Sequence, residues 1–228
     1  IVIVTGYLHE QFDELLKKYN NVKLVYNKFY NEMNNISSAY VVKDFLKNSY
    51  VLESDLLLYN PNIIRKYEYH SNFLGKKVSV TDDWCIDVKN GIIVREKQGG
   101  YNCYQMYGIS YYDAIDGEKI SSDITKVFNM PGGKEKYWEQ VILDVCKNNY
   151  KIYLRECFDG DIIEIDSFKE LKEIDKSYDI WGFICSGGVE RLGCAEYVYA
   201  YLNAEDTDLT KKVHLLFVLF EQIGIALN

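Results

Sequence analysis

Apolar and polar positions alternate along the first sixty residues in the pattern of an α/β domain. The β-branched run 1–4 predicts a strand that is buried on both faces of a sheet. Short apolar runs at 22–27 and 49–55 predict two more strands. The segments between them, 12–19 and 37–47, place their apolar residues on one helical face and predict helices. This alternation favours a mixed, mainly parallel sheet flanked by helices.

The pattern changes after about residue 60, where strand pairs replace the strand–helix alternation. The tripeptide Lys89–Gly91 lies between two alternating runs and is the strongest hairpin signal in the chain. Apolar residues at helical spacing predict a helix over 135–148. A strand over 162–166 precedes a helix in which Ser167 and Glu170 have the spacing of a capping box. An α/β core is therefore expected to extend to about residue 179.

The last part of the chain has a different character. Residues 180–228 contain glycines and two apolar helical segments, which predict a mostly helical C-terminal segment of unknown role. Their longest apolar run, 213–220, is too short to span a bilayer. The chain begins without Met and without a signal peptide, so we expect a fragment whose start is missing.

Length and charge narrow the classes of function. The 228 residues suit one ordinary domain, and the formal net charge of -8 argues against non-specific binding to nucleic acid or to an anionic membrane. A polyanionic ligand then requires a metal ion or a local basic loop. The six cysteines lack metal-binding or disulfide spacing, so free thiols in a reducing, cytoplasmic setting are expected. The sequence leaves a homo-oligomer open.

Two acidic residues stand at the ends of predicted strands. Asp55 interrupts an apolar run, and Asp166 ends the strand before the capped helix. Open α/β sheets bind ligands outside the carboxyl ends of their strands, and carboxylates together with substrate phosphates form typical Mg²⁺ sites. Acids at strand ends also serve as helix caps and solvated turn residues. Spacing does not show whether the two carboxylates meet, so both interpretations stay open.

Several short blocks carry a resemblance to a known family. They are IVIVTGYLHEQFDELLKKY, YNKFYNEMNNISSAYVVKDFL, SYVLESDLLL, DDWCIDV, MYGISYYD, KYWEQVI and IIEIDSFKEL. In this order they resemble the bacterial choline-phosphate cytidylyltransferases and their nucleotidyltransferase relatives, over about residues 1–179. The resemblance implies a Rossmann-like nucleotidyltransferase fold. It also implies Mg²⁺-dependent transfer of CMP from CTP to a phosphorylated amino alcohol, with release of pyrophosphate.

The resemblance also assigns roles to individual residues of the catalytic centre. It makes Asp55 and Asp166 the catalytic residues and the ligands of the metal ion. Asn35 and Ser38 fall in the block that approaches the nucleotide.

Three further residues match positions around the choline headgroup. Trp84 and Tyr137 correspond to aromatic rings whose faces attract a quaternary ammonium group. Glu139 would add a negative charge close to that cation. Ordinary core packing is the alternative for the two rings, and it is the favoured interpretation for the neighbouring Trp138.

The chain also departs from the family pattern. The glycine-rich loop that holds the triphosphate in this family should precede Ile1 and is absent, so we expect little or no activity from this chain as written. The segment FICSGGVERLG, 183–193, imitates such a loop, but a turn before a helix is the better interpretation. The alternatives are a sugar-phosphate or 2-aminoethylphosphonate nucleotidyltransferase, and a non-catalytic nucleotide-binding or oligomerising module.

Overall fold

The computed structural model describes residues 1–176, which form paired strands with helices packed against them. In chain order the strands and α-helices are β1 (Val2–Thr5), α1 (Asp13–Lys18), β2 (Lys23–Tyr26), α2 (Ile36–Val42), β3 (Ser49–Leu52), β4 (Leu56–Leu58), β5 (Asn72–Lys89), β6 (Ile92–Tyr112), α3 (Ala114–Phe128), β7 (Tyr153–Cys157), β8 (Ile162–Glu164) and α4 (Phe168–Ile174). The predictions made for 180–228, including the loop-like segment 183–193, lie outside the described residues.

The strands are arranged in three groups of paired strands. β1 pairs with β2 in parallel, and β4 pairs with β8 in antiparallel orientation. The largest group has the order β3-β6-β5-β7, in which β5 and β7 are parallel and the other neighbours are antiparallel. The sheet is therefore mixed, as the sequence predicts. Antiparallel pairing prevails in the second half because β5 and β6 form one long hairpin.

The turn of this hairpin forms where the sequence predicts it. Asn90 and Gly91 connect β5 to β6 with positive φ angles of 52° and 77°. Two consecutive residues with positive φ are the mark of a type I′ turn, whose twist matches that of the flanking strands. The Asn-Gly pair thus sets the register of the two longest strands.

The main hydrophobic core lies between the β3-β6-β5-β7 sheet and the helices α2 and α3. Its fully buried members include Val51 and Phe73 from the sheet and Ile120 and Ile124 from α3. A second cluster covers the opposite face of the sheet, where Leu74 packs with the apolar side chains of β4 and β8. All three residues of β4, Leu56–Leu58, are buried, which suits its continuously apolar sequence.

The prediction of a regular helix over 135–148 is wrong. The structure has a π-helical turn at Val141–Val145 followed by a 3₁₀ turn at Lys147–Asn149. In the irregular part that precedes these turns, the backbone N–H of Trp138 donates to Asn35 Oδ1 at 2.7 Å. Trp138 itself is 2% exposed and packs in the core, which confirms its predicted packing role.

Two further observations concern composition. The cysteines within residues 1–176 are free and buried: Cys85, Cys103, Cys146 and Cys157. None of the helices in this part of the chain has the length and apolar character needed to cross a bilayer.

Candidate active site

Three carboxylates converge where the turn between β3 and β4 meets the end of β8. One oxygen each from Glu53, Asp55 and Glu164 lies within 4.8 Å of the other two. The pairing of β4 with β8 brings them together, since Leu56 stands opposite Glu164 and the N–H of Ile165 donates to the carbonyl oxygen of Asp55 at 2.9 Å. Like charges this close require a cation or a proton, so the cluster is a candidate cation site.

Asp55 is the most strongly perturbed member of this cluster. The pKa of its carboxyl is raised to about 6, chiefly by burial and also by the charge of Asp166, against a lowering by its own backbone N–H. Its Oδ1 atom is buried and has no hydrogen-bond partner within the described part of the chain. An unpartnered buried carboxylate oxygen is costly, and a hard metal ion is a ligand that would satisfy it.

Asp166 lies at the same edge, directly after β8. The pKa of its carboxyl is raised by burial and by the charges of Glu170 and Asp83. Its backbone N–H donates to Glu170 Oε2 at 2.8 Å, within the capping box that starts α4 at Ser167. The structure therefore brings the two predicted metal ligands to neighbouring strand ends, and their joint role in metal binding stays a prediction.

A glycine makes room for Glu53. The backbone N–H of Glu53 donates to the carbonyl oxygen of Gly108 on β6 at 2.8 Å, so the two residues face each other across the strand pair. A Cβ atom at position 108 would overlap the Glu53 carboxylate. Any side chain at Gly108 would push this carboxylate away from its present place.

The two predicted headgroup aromatics contact each other. The ring centroids of Trp84 and Tyr137 are 5.6 Å apart, with an interplanar angle of 65°. The Trp84 backbone N–H is held at 2.6 Å by the carboxylate of Asp83, whose charge also raises the pKa of Asp166. Both rings are half-buried. Asp83, which precedes Trp84 in the chain, is therefore close enough to Asp166 for its charge to act on that carboxyl.

Glu139 lies deeper than a headgroup contact would suggest. Glu139 is only 8% exposed. Burial raises the pKa of the Tyr112 hydroxyl well above its ordinary range, and the charge of Glu139 also raises it. Glu53 contributes to the same shift. Glu139 and Glu53 thus approach one buried phenol, and the contact of Glu139 with a substrate cation stays a prediction.

Comparison with known proteins identifies the family. No protein-family model matches the chain. A 2-aminoethylphosphonate cytidylyltransferase from Lancefieldella rimae is 34% identical over 183 residues, which are 78% of this chain and 74% of the relative. A choline-phosphate cytidylyltransferase from Streptococcus pneumoniae is 35% identical over 182 residues, 77% of this chain and 76% of the relative. The chain belongs to this cytidylyltransferase family.

The solved structures agree with the cytidylyltransferase assignment. The CTP:phosphocholine cytidylyltransferase from Streptococcus pneumoniae matches with a TM-score of 0.70 and 31% identity, over 78% of this chain and 77% of that one. The inositol-1-phosphate CTP transferase from T. maritima matches with a TM-score of 0.56 at 16% identity, which shows the fold alone. The predicted Rossmann-like nucleotidyltransferase fold is confirmed, and the chain is a nucleotidyltransferase.

In this cytidylyltransferase, the two predicted nucleotide-binding residues are buried and already bonded within the protein. Asn35 Oδ1 accepts from the N–H of Trp138 at 2.7 Å, and Ser38 Oγ accepts from Asn27 Nδ2 at 3.1 Å. Each residue is 3% exposed. They shape the α2 segment through these bonds, and a direct contact with the nucleotide stays a prediction.

The sequence analysis of this cytidylyltransferase missed Glu53, Glu164 and Gly108. A signal was present, because Glu53 and Asp55 have the same Glu-x-Asp spacing as Glu164 and Asp166. A repeated pair of acids at two strand ends suggests that both members of each pair face one site. Gly108 gave no such signal, since its role depends on which residue lies opposite.

Proposed function

We propose that this chain is the catalytic core of a Mg²⁺-dependent cytidylyltransferase that transfers CMP from CTP to phosphocholine or a similar amino-alcohol phosphate. The observation that carries the proposal is the presence, in one fold, of a contact between Trp84 and Tyr137 and of a carboxylate cluster. A phosphorylated amino alcohol has a cationic end and an anionic end. The aromatic faces suit the cationic end, and a metal ion held by the carboxylates suits the phosphates.

The donor set fits Mg²⁺. Asp55 offers a buried oxygen that has no protein partner, and Asp166 stands at the adjacent strand end. A bound Mg²⁺ would neutralise phosphate charge and align the acceptor phosphate with the α-phosphorus of CTP. The residues themselves hold the ion and exclude water from one side of it. A bound dication would lower the raised pKa of Asp55 and so restore the charged form of its carboxylate.

The headgroup end depends on the electron-rich faces of two rings. Trp84 and Tyr137 meet edge to face, so the open face of one ring stays available to a cation while the other ring supports it. A trimethylammonium group donates no hydrogen bonds, and an aromatic surface with nearby negative charge is the environment that recognises it. Acidic residues at the same edge supply that charge.

Substitution of Trp84 tests the proposal. In Trp84→Ala, the affinity for phosphocholine should fall by about 1 to 2 kcal/mol because a cation–π contact is lost, and the affinity for CTP should hardly change. Both affinities can be measured by isothermal titration calorimetry in the presence of Mg²⁺. Tyr69→Ala is the matched control, since Tyr69 is 90% exposed. Equal losses for both ligands in Trp84→Ala would show that Trp84 acts by packing and would contradict the headgroup role.

A second acceptor, 2-aminoethylphosphonate, has specific support. A relative at 34% identity carries this activity in its name, and the site contains carboxylates. A primary ammonium group can donate hydrogen bonds to carboxylates, whereas a trimethylammonium group cannot. Isothermal titration calorimetry with each acceptor in the presence of Mg²⁺ will separate the two, because it requires no turnover. Tighter binding of 2-aminoethylphosphonate would assign that substrate, and Trp84 would then matter less than the acids.

A further inference from the structure

The carboxylate of Glu53 has no role in the function proposed above, yet it lies in the carboxylate cluster. One oxygen each from Glu53, Asp55 and Glu164 lies within 4.8 Å of the other two. Oxygen ligands around an octahedral ion with bonds of about 2.1 Å are about 3 to 4 Å apart. The distances between the three carboxylates are therefore close to those between the ligands of one shared cation. Small rotations about the side-chain bonds would bring the oxygens to those distances.

The position of Glu53 is set by its partner strand. The backbone hydrogen bond between Glu53 and Gly108 fixes the two residues opposite each other, and the Glu53 side chain folds back over the glycine. The space it fills is the space that any Cβ atom at position 108 would need. Gly108 is needed here for room, which is one of the uses of glycine in strands that a large group approaches closely.

A buried phenol also lies within reach of the charge of Glu53. Tyr112 is 0% exposed, and a side-chain hydrogen bond with Ser110 partly offsets the rise in its pKa that burial causes. The charges of Glu53 and Glu139 act on the same phenol. Within the carboxylate cluster itself, Asp55 Oδ1 is buried and has no hydrogen-bond partner among residues 1–176. A buried carboxylate oxygen without a partner is rare in native folds and indicates a bound species with its own donors or charge.

We propose that Glu53 is a third carboxylate for the divalent cation of this site, and that Gly108 is the positioning residue that allows it to reach the ion. The inference rests on the proposed function for its need of a cation. It adds that the ion is held from β3 and β4 as well as from the end of β8. A longer, more anionic ligand set raises affinity for a divalent ion.

Binding of Mn²⁺ alone tests the role of Glu53. Free and bound Mn²⁺ can be counted by electron paramagnetic resonance without CTP or acceptor, so the result does not depend on which substrate the protein uses. Glu53→Gln keeps the side-chain size, and its dissociation constant for Mn²⁺ should rise about 10- to 100-fold. Glu118→Gln, an exposed residue of α3, is the charge-matched control and should bind as the unmodified chain does. A change below twofold in Glu53→Gln, or no binding by the unmodified chain, would overturn the proposal.

A double-mutant cycle tests the role of Gly108. Gly108→Ala leaves every carboxylate in the sequence but displaces Glu53, so it should weaken Mn²⁺ binding as Glu53→Gln does. It should also lower the midpoint of urea unfolding in the unmodified chain and have much less effect in a Glu53→Ala background, where the space is empty. Equal loss of stability in both backgrounds would show that Gly108 does not position Glu53. Intact Mn²⁺ binding without any binding of phosphocholine or 2-aminoethylphosphonate would instead count against the proposed function.

Discussion

Glu68 and Asp55 are both largely removed from water, but their surroundings are opposite. Glu68 forms an ion pair with Arg155, whose side chain is 9% exposed, and also accepts a hydrogen bond from the hydroxyl of Tyr50 at 2.5 Å. The same arginine donates to the carbonyl oxygen of Ile63. Asp55 makes no ion pair within residues 1–176 and keeps an oxygen without a partner.

The difference separates a structural charge from a functional one. Glu68 is compensated inside the protein, so its network ties the loop before β5 to β3 and β7. Asp55 is left uncompensated, and its folded pKa of about 6 records the cost. A buried charge that the fold does not neutralise is expected where a ligand supplies the opposite charge. The following predictions run from the largest expected effect to the smallest.

Removal of the Arg155 charge should have the largest effect on stability. Arg155→Met leaves Glu68 buried without its cation, and we expect the free energy of unfolding to fall by about 3 to 5 kcal/mol. Urea denaturation followed by circular dichroism measures this. Lys17→Met is the control, because its ion pair with Glu14 is exposed and worth less than about 1 kcal/mol. In Arg155→Met/Glu68→Met, much of the loss should return; an additive loss would contradict a coupled pair.

Removal of the charge of Asp55 should, in contrast, increase the stability of the folded chain at neutral pH. Because the folded pKa is raised from 3.8 to about 6, the folded chain binds the proton more tightly than the unfolded chain does. The free energy of unfolding should therefore fall by about 2 to 3 kcal/mol as the pH rises from about 4 to about 7. Asp55→Asn lacks this contribution, whereas Glu96, whose pKa burial raises to about 7, contributes a fall in stability with pH to both proteins.

At pH 7.5 with a chelator present, Asp55→Asn should accordingly be more stable than the unmodified chain by a similar amount. Urea unfolding at pH 4.5, 6 and 7.5 measures the slope in both proteins. A less stable Asp55→Asn at pH 7.5 would mean that Asp55 is already satisfied within the fold, and its contrast with Glu68 would disappear.

Addition of Mg²⁺ should narrow this difference in stability. An ion that binds the folded chain alone adds about 1.4 kcal/mol at ten times its dissociation constant. We expect this gain in the unmodified chain and little of it in Asp55→Asn. Thermal unfolding with Mg²⁺ and with an equal ionic strength of NaCl measures it. The same gain in both proteins would place the ion elsewhere.

The smallest effect is expected at α4, where local hydrogen bonds hold the end of the site next to Asp166. Ser167 Oγ accepts from the N–H of Glu170 at 3.3 Å, and Glu170 bonds back to the N–H of Ser167. Ser167→Ala should reduce the free energy of unfolding by about 1 kcal/mol. Ser122→Ala, on the exposed face of α3, should change it by less than about 0.5 kcal/mol. Equal losses of stability in the two variants would show that the Ser167 side chain does not stabilise the start of α4.

Local signals in the sequence predicted local features of the structure. The Asn90–Gly91 turn needs two residues that tolerate positive φ, and the pair is visible without any partner strand. The capping box at Ser167 is set by a spacing of three residues. Asp55 could be singled out because a charge between two apolar runs is unusual.

Features that depend on distant partners could not be found in this way. Glu53 and Glu164 enter the site through the register of β4 with β8, which no short window contains. Within the segment 135–148, the N–H of Trp138 likewise donates to Asn35 across 103 positions of sequence. Periodicity correctly identified Trp138 as a core residue but could not anticipate that bond.

The pairing of β4 with β8 also bears on how the protein is made. Leu56 and Glu164 are about a hundred positions apart, and contacts of such high order close large loops and form slowly. During synthesis, Asp55 is an ordinary solvated acid until β8 has left the ribosome. The proposed divalent ion would therefore not act as a template for the early stages of folding. Its capture would report that the chain has completed its fold, which would make ion binding a convenient measure of the fraction of correctly folded molecules.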